Sequence, residues 1–463
     1  LQAEQSSIRD LPANLLVAIF EHLDGRSLLK AVPTACKAWY AAYKGAVHKL
    51  DVSCVRTLFK ADSAAAWLVQ HGHTLSELVY QYRPYDNFTP NSCHQSIFSA
   101  LVQLTQLRSL DLEGLKGCFR TKDLTCLQML TSLRLAYCDL PQMDLAPLSA
   151  LVGLCKLSLE GSMHIDTEDW NFDDLARALT QLTSFKMGEG RYLENPWRLS
   201  ELKFVQELDL SSVPDLQLDD LPEMPSLTKL TFRTNLAHLE SFDTGTKLSR
   251  LQHLDMLESY FGTSARALAS LVSLTRLVAV TGGEHLWDDM DRLAMLTAVG
   301  PLQQLRHLAI SSDFQQADPI SSFSVLGTLQ HLTHLELRGP QLPAGALAAM
   351  FSTSQGDSGA SCLRKLRCLR VEAERCVEMD WQAQGGSISR SDVALLVRTC
   401  PELQSVTLSR YLVEDAGLLQ LSGLTGLTSL TFRVVMAGNH KGSHPDLRCS
   451  WVALWTGCGV LSL

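Results

Sequence analysis

One phrase of apolar and polar positions recurs along this chain: L-x-x-L-x-x-L-x-L. It is complete at Leu104, Leu107, Leu110 and Leu112, then at Leu127, Leu130, Leu133 and Leu135, then at Leu151, Leu154, Leu157 and Leu159. It returns at Leu202, Val205, Leu208, Leu210 and at Leu248, Leu251, Leu254, Met256. Further copies are Leu302, Leu305, Leu308, Ile310; Leu329, Leu332, Leu335, Leu337; Leu363, Leu366, Leu369, Val371; and Leu424, Leu427, Leu430, Phe432. Looser copies centre on Leu50, Leu78, Phe185, Leu230, Leu277 and Val406. The L-x-L end has period 2, which predicts a short strand with its leucines on one side and the residue between them on the other. The L-x-x-L part turns the chain inward. Helical stripes such as Leu175, Leu179, Leu182 and Leu268, Leu271 follow several of the strands.

About fifteen copies occur, with a mean spacing of about 27 residues, within the range of leucine-rich repeats. No single copy can bury its own leucines; stacked copies bury them against their neighbours. The expected fold is therefore α/β: a leucine-rich-repeat solenoid of about fifteen irregular repeats with a parallel concave sheet. Three residues beyond the last strand leucine, such repeats place Asn or Cys to satisfy backbone groups at the turn. Here the column reads Leu115, Cys138, Ser162, Gly190, Val213, Asn235, Ser259, Gly282, Asp313, Pro340, and only Cys138 and Asn235 conform. Irregular turns are expected. Extra segments enlarge the later units: a helix over Glu284 to Val299, and loops over Ser352 to Ser361 and Glu378 to Ser391.

The first 46 residues follow another pattern. Leu15, Leu16, Ile19, Phe20 and Leu23 form a wide apolar helical stripe, with Pro12 suited to the first turn. Asp24 and Gly25 stop it. Ser27 caps a second helix with Leu28, Leu29 and Val32, and Thr34 caps a third with Cys36, Trp39, Tyr40 and Tyr43. Three short helices expose more apolar side chain than so small a unit can bury, so they must pack on something else. The run Leu11, Pro12, Leu15, Leu16, Ile19, Phe20, Leu23, Leu28, Leu29, Cys36, Lys37, Trp39 resembles an F-box. The resemblance implies docking onto a Skp-type adaptor, and through it a cullin, in SCF-type ubiquitin ligases. It marks Leu11, Pro12, Leu15, Leu16, Ile19, Phe20, Leu23, Leu28 and Trp39 as adaptor-contacting residues. Asn14 and Ser27 stand where the family has acidic residues, and Pro33 where it stays helical. The expected division is a helical module at 1–46, repeats at 47–433, and an irregular cap or tail at 434–463.

Composition adds boundaries to this picture. The 463 residues include 84 leucines, and 46% of the chain is hydrophobic against 19% charged. A repeat array grows without outgrowing one core, so this length does not require separate globules. The net charge of −9 argues against a nucleic-acid partner, which would need a basic face. No stretch reaches the roughly 18 apolar residues of a spanning helix. The 13 cysteines are scattered, several at leucine-like positions such as Cys36, Cys138, Cys155 and Cys400, as reduced core thiols are. A cytoplasmic or nuclear protein is expected, with a cytoskeletal or axonemal setting as the alternative.

Residues flanking the strand leucines face the concave side and form columns. One column reads Lys229, His253, Arg276, His307, His334, with Arg233, Arg338, Arg370 and Arg433 nearby in phase. Earlier repeats instead offer Asp51, Glu77, Asp111, Glu113, Glu207 and Asp209, offset by Arg134, Lys156 and Lys186. The expectation is a face that is acidic first and basic later. Its basic residues, Lys229, Arg233, His253, Arg276, His307, His334, Arg338 and Arg370, are the candidates for holding an acidic or phosphorylated protein segment. No phosphate loop and no H-E-x-x-H occurs. His440, His444, Cys449 and Cys458 lack a C-x-x-C clip for zinc. No catalytic site, cofactor or metal is expected. The sequence reads as a substrate-recognition subunit, or alternatively as an interaction scaffold.

Overall fold

The computed structural model describes residues 48–55, 65–70, 72–82, 95–115, 121–138, 146–161, 172–187, 196–213, 221–235, 247–260, 268–280, 295–311, 320–339, 342, 345–351, 363–373, 387–409, 412–413, 420–433 and 452–453. The chain divides into two compact units, residues 1–214 and 215–463. The repeat spacing gives no hint of this division.

In the first unit the strands are β1 (Lys49–Val55), β2 (Glu77–Tyr82), β3 (Ser109–Glu113), β4 (Ser132–Ala136), β5 (Lys156–Ser158), β6 (Ser184–Lys186) and β7 (Glu207–Leu210). Each pairs in parallel with the next. The second unit carries β8 (Lys229–Asn235), β9 (His253–Tyr260), β10 (Arg276–Val280), β11 (His307–Ser311), β12 (His334–Gly339), β13 (Cys368–Ala373), β14 (Ser387–Ile388), β15 (Ser405–Ser409), β16 (Leu412–Val413), β17 (Ser429–Arg433) and β18 (Val452–Ala453). There β8 to β13, then β15 and β17, pair in parallel order, while β14 pairs with β16. At the end β18 lies antiparallel to β17. Parallel neighbours need a crossover, and each repeat is one crossover. The fold is an α/β leucine-rich-repeat array.

The two strand leucines of each repeat share one face. Leu50, Leu78, Leu110, Leu133, Leu157, Phe185, Leu208, Leu230, Leu254, Leu277, Leu308, Leu335, Leu369 and Val406 are at most 2% exposed. Two residues on, Tyr80, Leu112, Leu135, Leu159, Met187, Leu210, Phe232 and Met256 are buried as deeply. Each such side chain contributes about 1.5–3 kcal/mol relative to exposure. Leu430, on the last parallel strand, is half-buried.

The L-x-x-L spacing has a backbone cause. The second apolar residue donates its N–H to the carbonyl of the first, as in Leu107 to Leu104 (3.0 Å), Leu154 to Leu151 (2.9 Å) and Leu366 to Leu363 (3.1 Å). This i to i+3 turn aims both side chains into the core. The next residues then dock on the preceding repeat: Thr131 and Ser132 both donate to the Arg108 carbonyl. A threonine at this position adds a third bond through its hydroxyl, as Thr131 does to Arg108 (3.1 Å), Thr183 to Cys155 (3.2 Å), Thr275 to Gln252 (3.1 Å) and Thr333 to Arg306 (2.9 Å).

The turn column behaves as its residues dictate. Cys138 is buried, with its thiol directed at the Leu112 and Ala136 carbonyls (3.6 and 3.4 Å). Leu115 and Val213 fill the equivalent place as apolar side chains. One expectation needs correcting. Residues 378–391 are not simply a loop, because Ser387–Ile388 form β14 and a helix begins at Arg390. Ser389 caps that helix reciprocally: its hydroxyl accepts from the Asp392 N–H, and the Asp392 carboxylate accepts from the Ser389 N–H. Of the helix expected over Glu284 to Val299, residues 295–299 are helical, with Met295 and Leu296 buried. The loop over Ser352 to Ser361 lies outside the described residues.

Cys126, Cys138, Cys155, Cys368 and Cys400 carry free thiols. Burial pushes the Cys138 and Cys400 thiols up to about 12. Among the described residues no helix is long and apolar enough to cross a membrane.

Candidate functional site

Because the leucines turn inward, positions one and three of each strand look outward from the sheet. Parallel register then fixes which outward residues meet. Across β8 to β12 the Cα partners are Lys229 with His253, His253 with Arg276, Arg276 with His307, and His307 with His334. The column anticipated in the sequence is thus one continuous row, and Cys368 and Ser405 extend it on β13 and β15. At about 4.8 Å per strand, its five basic members span roughly 19 Å.

His307 and His334 stack, with ring centroids 5.5 Å apart and planes tilted by 31°. The His334 ring also meets the Thr333 hydroxyl at 2.9 Å. Burial holds His307 below the ordinary histidine range, and the neighbouring charges of Arg276 and His334 add to this, with Glu336 and Asp255 opposing. Arg276 touches Asp255 by one bond, Nε to Oδ1 at 3.3 Å, and stays two-fifths exposed.

The remaining basic candidates sit in a different setting. Arg338 contacts Glu336 (2.6 Å) and Glu372 (3.7 Å), and Arg370 contacts Glu336 (3.2 Å) and Glu372 (2.8 Å). Two arginines and two carboxylates close a four-membered lattice over β12 and β13. Its guanidinium charges are matched in place. The Arg370 guanidinium lies above its ordinary range, chiefly through the bond to Glu372. Arg233 is exposed on β8. This revises the charge pattern read from the sequence: the later face is not uniformly basic, because Asp255, Glu336 and Glu372 interleave with its cations.

The earlier face is likewise mixed. Arg134 on β4 reaches Asp111 (2.8 Å), Glu113 (3.4 Å) and Glu160 (3.3 Å). Lys186 on β6 reaches Glu160 (3.4 Å) and Asp209 (3.1 Å). The Glu113 side chain is only 9% exposed, so a contact with a guanidinium offsets part of the cost of burying its charge. For both Arg134 and Lys186, burial lowers the pKa but the carboxylates outweigh it and leave each above its ordinary range. Glu160, Asp255, Glu336 and Glu372 are the site residues the sequence reading missed. Their signal was their place in the outward columns beside the candidates.

The adaptor-contacting candidates Leu11, Pro12, Leu15, Leu16, Ile19, Phe20, Leu23, Leu28 and Trp39 lie outside the described residues, as do His440, His444, Cys449 and Cys458. Among the described residues, no group of three or more His, Cys, Asp or Glu is arranged to hold a metal. A pocket of about 180 Å³ in the first unit is lined by Leu179, Leu202 and Phe204 together with Arg177, Glu201 and Lys203.

No protein-family model matches the chain, and no curated protein sequence matches it. Solved structures do. An internalin (inlF) from Listeria monocytogenes shares 18% identity over 81% of this chain and 88% of its own, with a TM-score of 0.43. An LRR protein of Leptospira interrogans shares 14% identity over 88% of this chain and 92% of its own, with a TM-score of 0.42. The PEPR1–AtPEP1 structure shares 16% identity over 83% of this chain and 48% of its own, with a TM-score of 0.43. At such identities the likeness concerns the fold.

Proposed function

We propose that this chain is a non-catalytic protein-recognition subunit: its N-terminal residues engage a Skp-type adaptor of an SCF-type ubiquitin ligase, and its repeats hold the target protein. The adaptor arm is supported by the order and spacing of Leu11, Pro12, Leu15, Leu16, Ile19, Phe20, Leu23, Leu28 and Trp39. The target-binding arm is supported by one observation above the others. An outward row of charged and histidine side chains runs in register over five strands, on an open sheet face. An open face of this kind suits an extended protein segment better than a small substrate, which needs a closed pocket with convergent groups. In this reading ubiquitin transfer belongs to the partner enzymes.

Co-purification of the full chain with recombinant Skp adaptor and cullin tests the adaptor arm. A stable complex, lost on replacing Leu11, Pro12 and Trp39 together, is the expected result. No association of the intact chain would reject the ubiquitin-ligase role. The second reading is an interaction scaffold with a degenerate F-box, in a cytoskeletal or ciliary assembly. It is favoured by Asn14, Ser27 and Pro33 at positions where the F-box pattern differs. Partner capture through the repeats without Skp would support it.

A further inference from the structure

We infer that the row Lys229, His253, Arg276, His307, His334 is a pH-gated docking strip for an extended, carboxylate-rich segment of a partner protein. The inference rests on reading the open sheet face as the docking face, and it names the partner's chemistry and its regulation.

Three observations carry it. First, the row holds no acidic residue. Lys229 and His253 have no partner among the described residues. Arg276 spends one N–H on Asp255 and keeps its two terminal nitrogens for a ligand. Second, the other nearby arginines are already matched. Arg338 and Arg370 are closed into the lattice with Glu336 and Glu372, so an incoming carboxylate finds its unsatisfied cations along the row. Third, beside Arg276 and His307 the next outward column is apolar, with Val278 and Ala309 between Asp255 and Glu336. A segment lying across the strands meets a strip of cations with an apolar edge. At about 3.3 Å per residue, six extended residues cover the roughly 19 Å of the row.

The row carries single, separated charges rather than a cluster of arginines around one point. It therefore suits successive carboxylates better than one phosphate, which favours converging guanidinium forks.

Gating follows from the histidines. The groups around His307 are Arg276 on β10, His253 and Asp255 on β9, and His334 and Glu336 on β12. Burial first, and then the charge of Arg276, hold His307 below the ordinary histidine range and favour its neutral form. A carboxylate laid over the row reverses that balance by pairing with the imidazolium. Binding therefore takes up protons and strengthens as pH falls.

The test uses the full chain and a fluorescein-labelled peptide of six glutamates, with a six-glutamine peptide as control, by anisotropy between pH 8 and pH 6. The glutamate peptide is expected to bind about tenfold more tightly at pH 6 than at pH 8, and the glutamine peptide not to bind. His253→Gln, His307→Gln and His334→Gln combined should remove most of the gain in affinity between pH 8 and pH 6. Arg276→Met should weaken binding about tenfold or more at both pH values. Lys156→Met, a cation at the same strand position in the first unit, should change nothing. Thermal melts at pH 8 confirm that each variant is folded. No glutamate binding, an unchanged pH slope in the histidine variant, or binding only of a phosphoserine peptide would each overturn the inference. A separate arm tests the parent reading: Val278→Arg obstructs the face, and protein partners captured by the wild type should be lost. If they are lost while the glutamate peptide shows no pH gate, only the present inference fails. If they are retained, the docking face itself is wrong.

Discussion

His307 stacks on His334 from the adjacent strand, centroid to centroid at 5.5 Å, with Arg276 on the strand at its other side. An imidazole so placed gains a proton only against burial and the charge of Arg276. Its pKa in the folded chain lies below its unfolded value of about 6.5.

The sign of the linkage follows. The unfolded chain binds this proton more readily, so the contribution of neutral His307 to stability is complete above about pH 6.5. It is lost as pH falls through the lower folded value. Between pH 7.5 and pH 5.5 the wild type should lose melting temperature more steeply than His307→Gln. Parallel slopes in a thermal-shift series would show that the stacked pair does not resist protonation.

Buried thiols give a second prediction. Cys138 and Cys400 are displaced to about 12, so at pH 8 only on the order of one in ten thousand is thiolate. Iodoacetamide should leave both unmodified in the folded chain and alkylate both in urea, while exposed Cys126 reacts under both conditions. Peptide mapping by mass spectrometry reads each site. Alkylation of Cys138 at equal rates with and without urea would contradict its burial.

Gly161 and Tyr137 give a third. Gly161 has φ +58°, and a Cβ there would run into the Tyr137 ring, which itself sits at φ 50°. Gly161→Ala meets both penalties and should destabilise the first unit by roughly 1–3 kcal/mol. Combining it with Tyr137→Gly should recover part of that loss, because the ring is removed and the strained backbone relaxes. Urea midpoints of the four chains measure the recovery.

The leucine rows were legible because burial leaves a period of 2 in the strand and a fixed step of three in the turn. Leu110 and Leu112 need no knowledge of their neighbours to be read as core. The column Lys229 to His334 was legible for the same reason, since in-phase repeats put equal strand positions side by side. The ion pairs were not. Arg134 meets Asp111 at a distance of 23 residues and Glu160 at 26, and those separations change with every repeat length. A list of cations therefore looked like a basic face until Glu336 and Glu372 were seen between Arg338 and Arg370. The threonine bonds to preceding carbonyls escaped for a related reason. Thr333 looks like any solvated strand residue until the Arg306 carbonyl is placed beside it.

The first-unit network offers the most quantitative test of coupling between repeats. Glu160 is shared: one oxygen takes Arg134 at 3.3 Å and the other takes Lys186 at 3.4 Å. Glu160→Gln should therefore weaken both cations' hold. Arg134→Met has the larger effect, because it removes contacts to three carboxylates at once, one of them Glu113, whose side chain is nearly buried. It should destabilise by roughly 1–3 kcal/mol, the range for charged hydrogen bonds of this exposure, with Lys186→Met nearer 1 kcal/mol or less. If the bridge through Glu160 is real, Arg134→Met and Lys186→Met will be non-additive in the wild type and additive in a Glu160→Gln background. Urea denaturation of the eight chains decides it. Additivity in both backgrounds would mean the two cations act alone, and that strand-to-strand pairing here is held by backbone and leucines only.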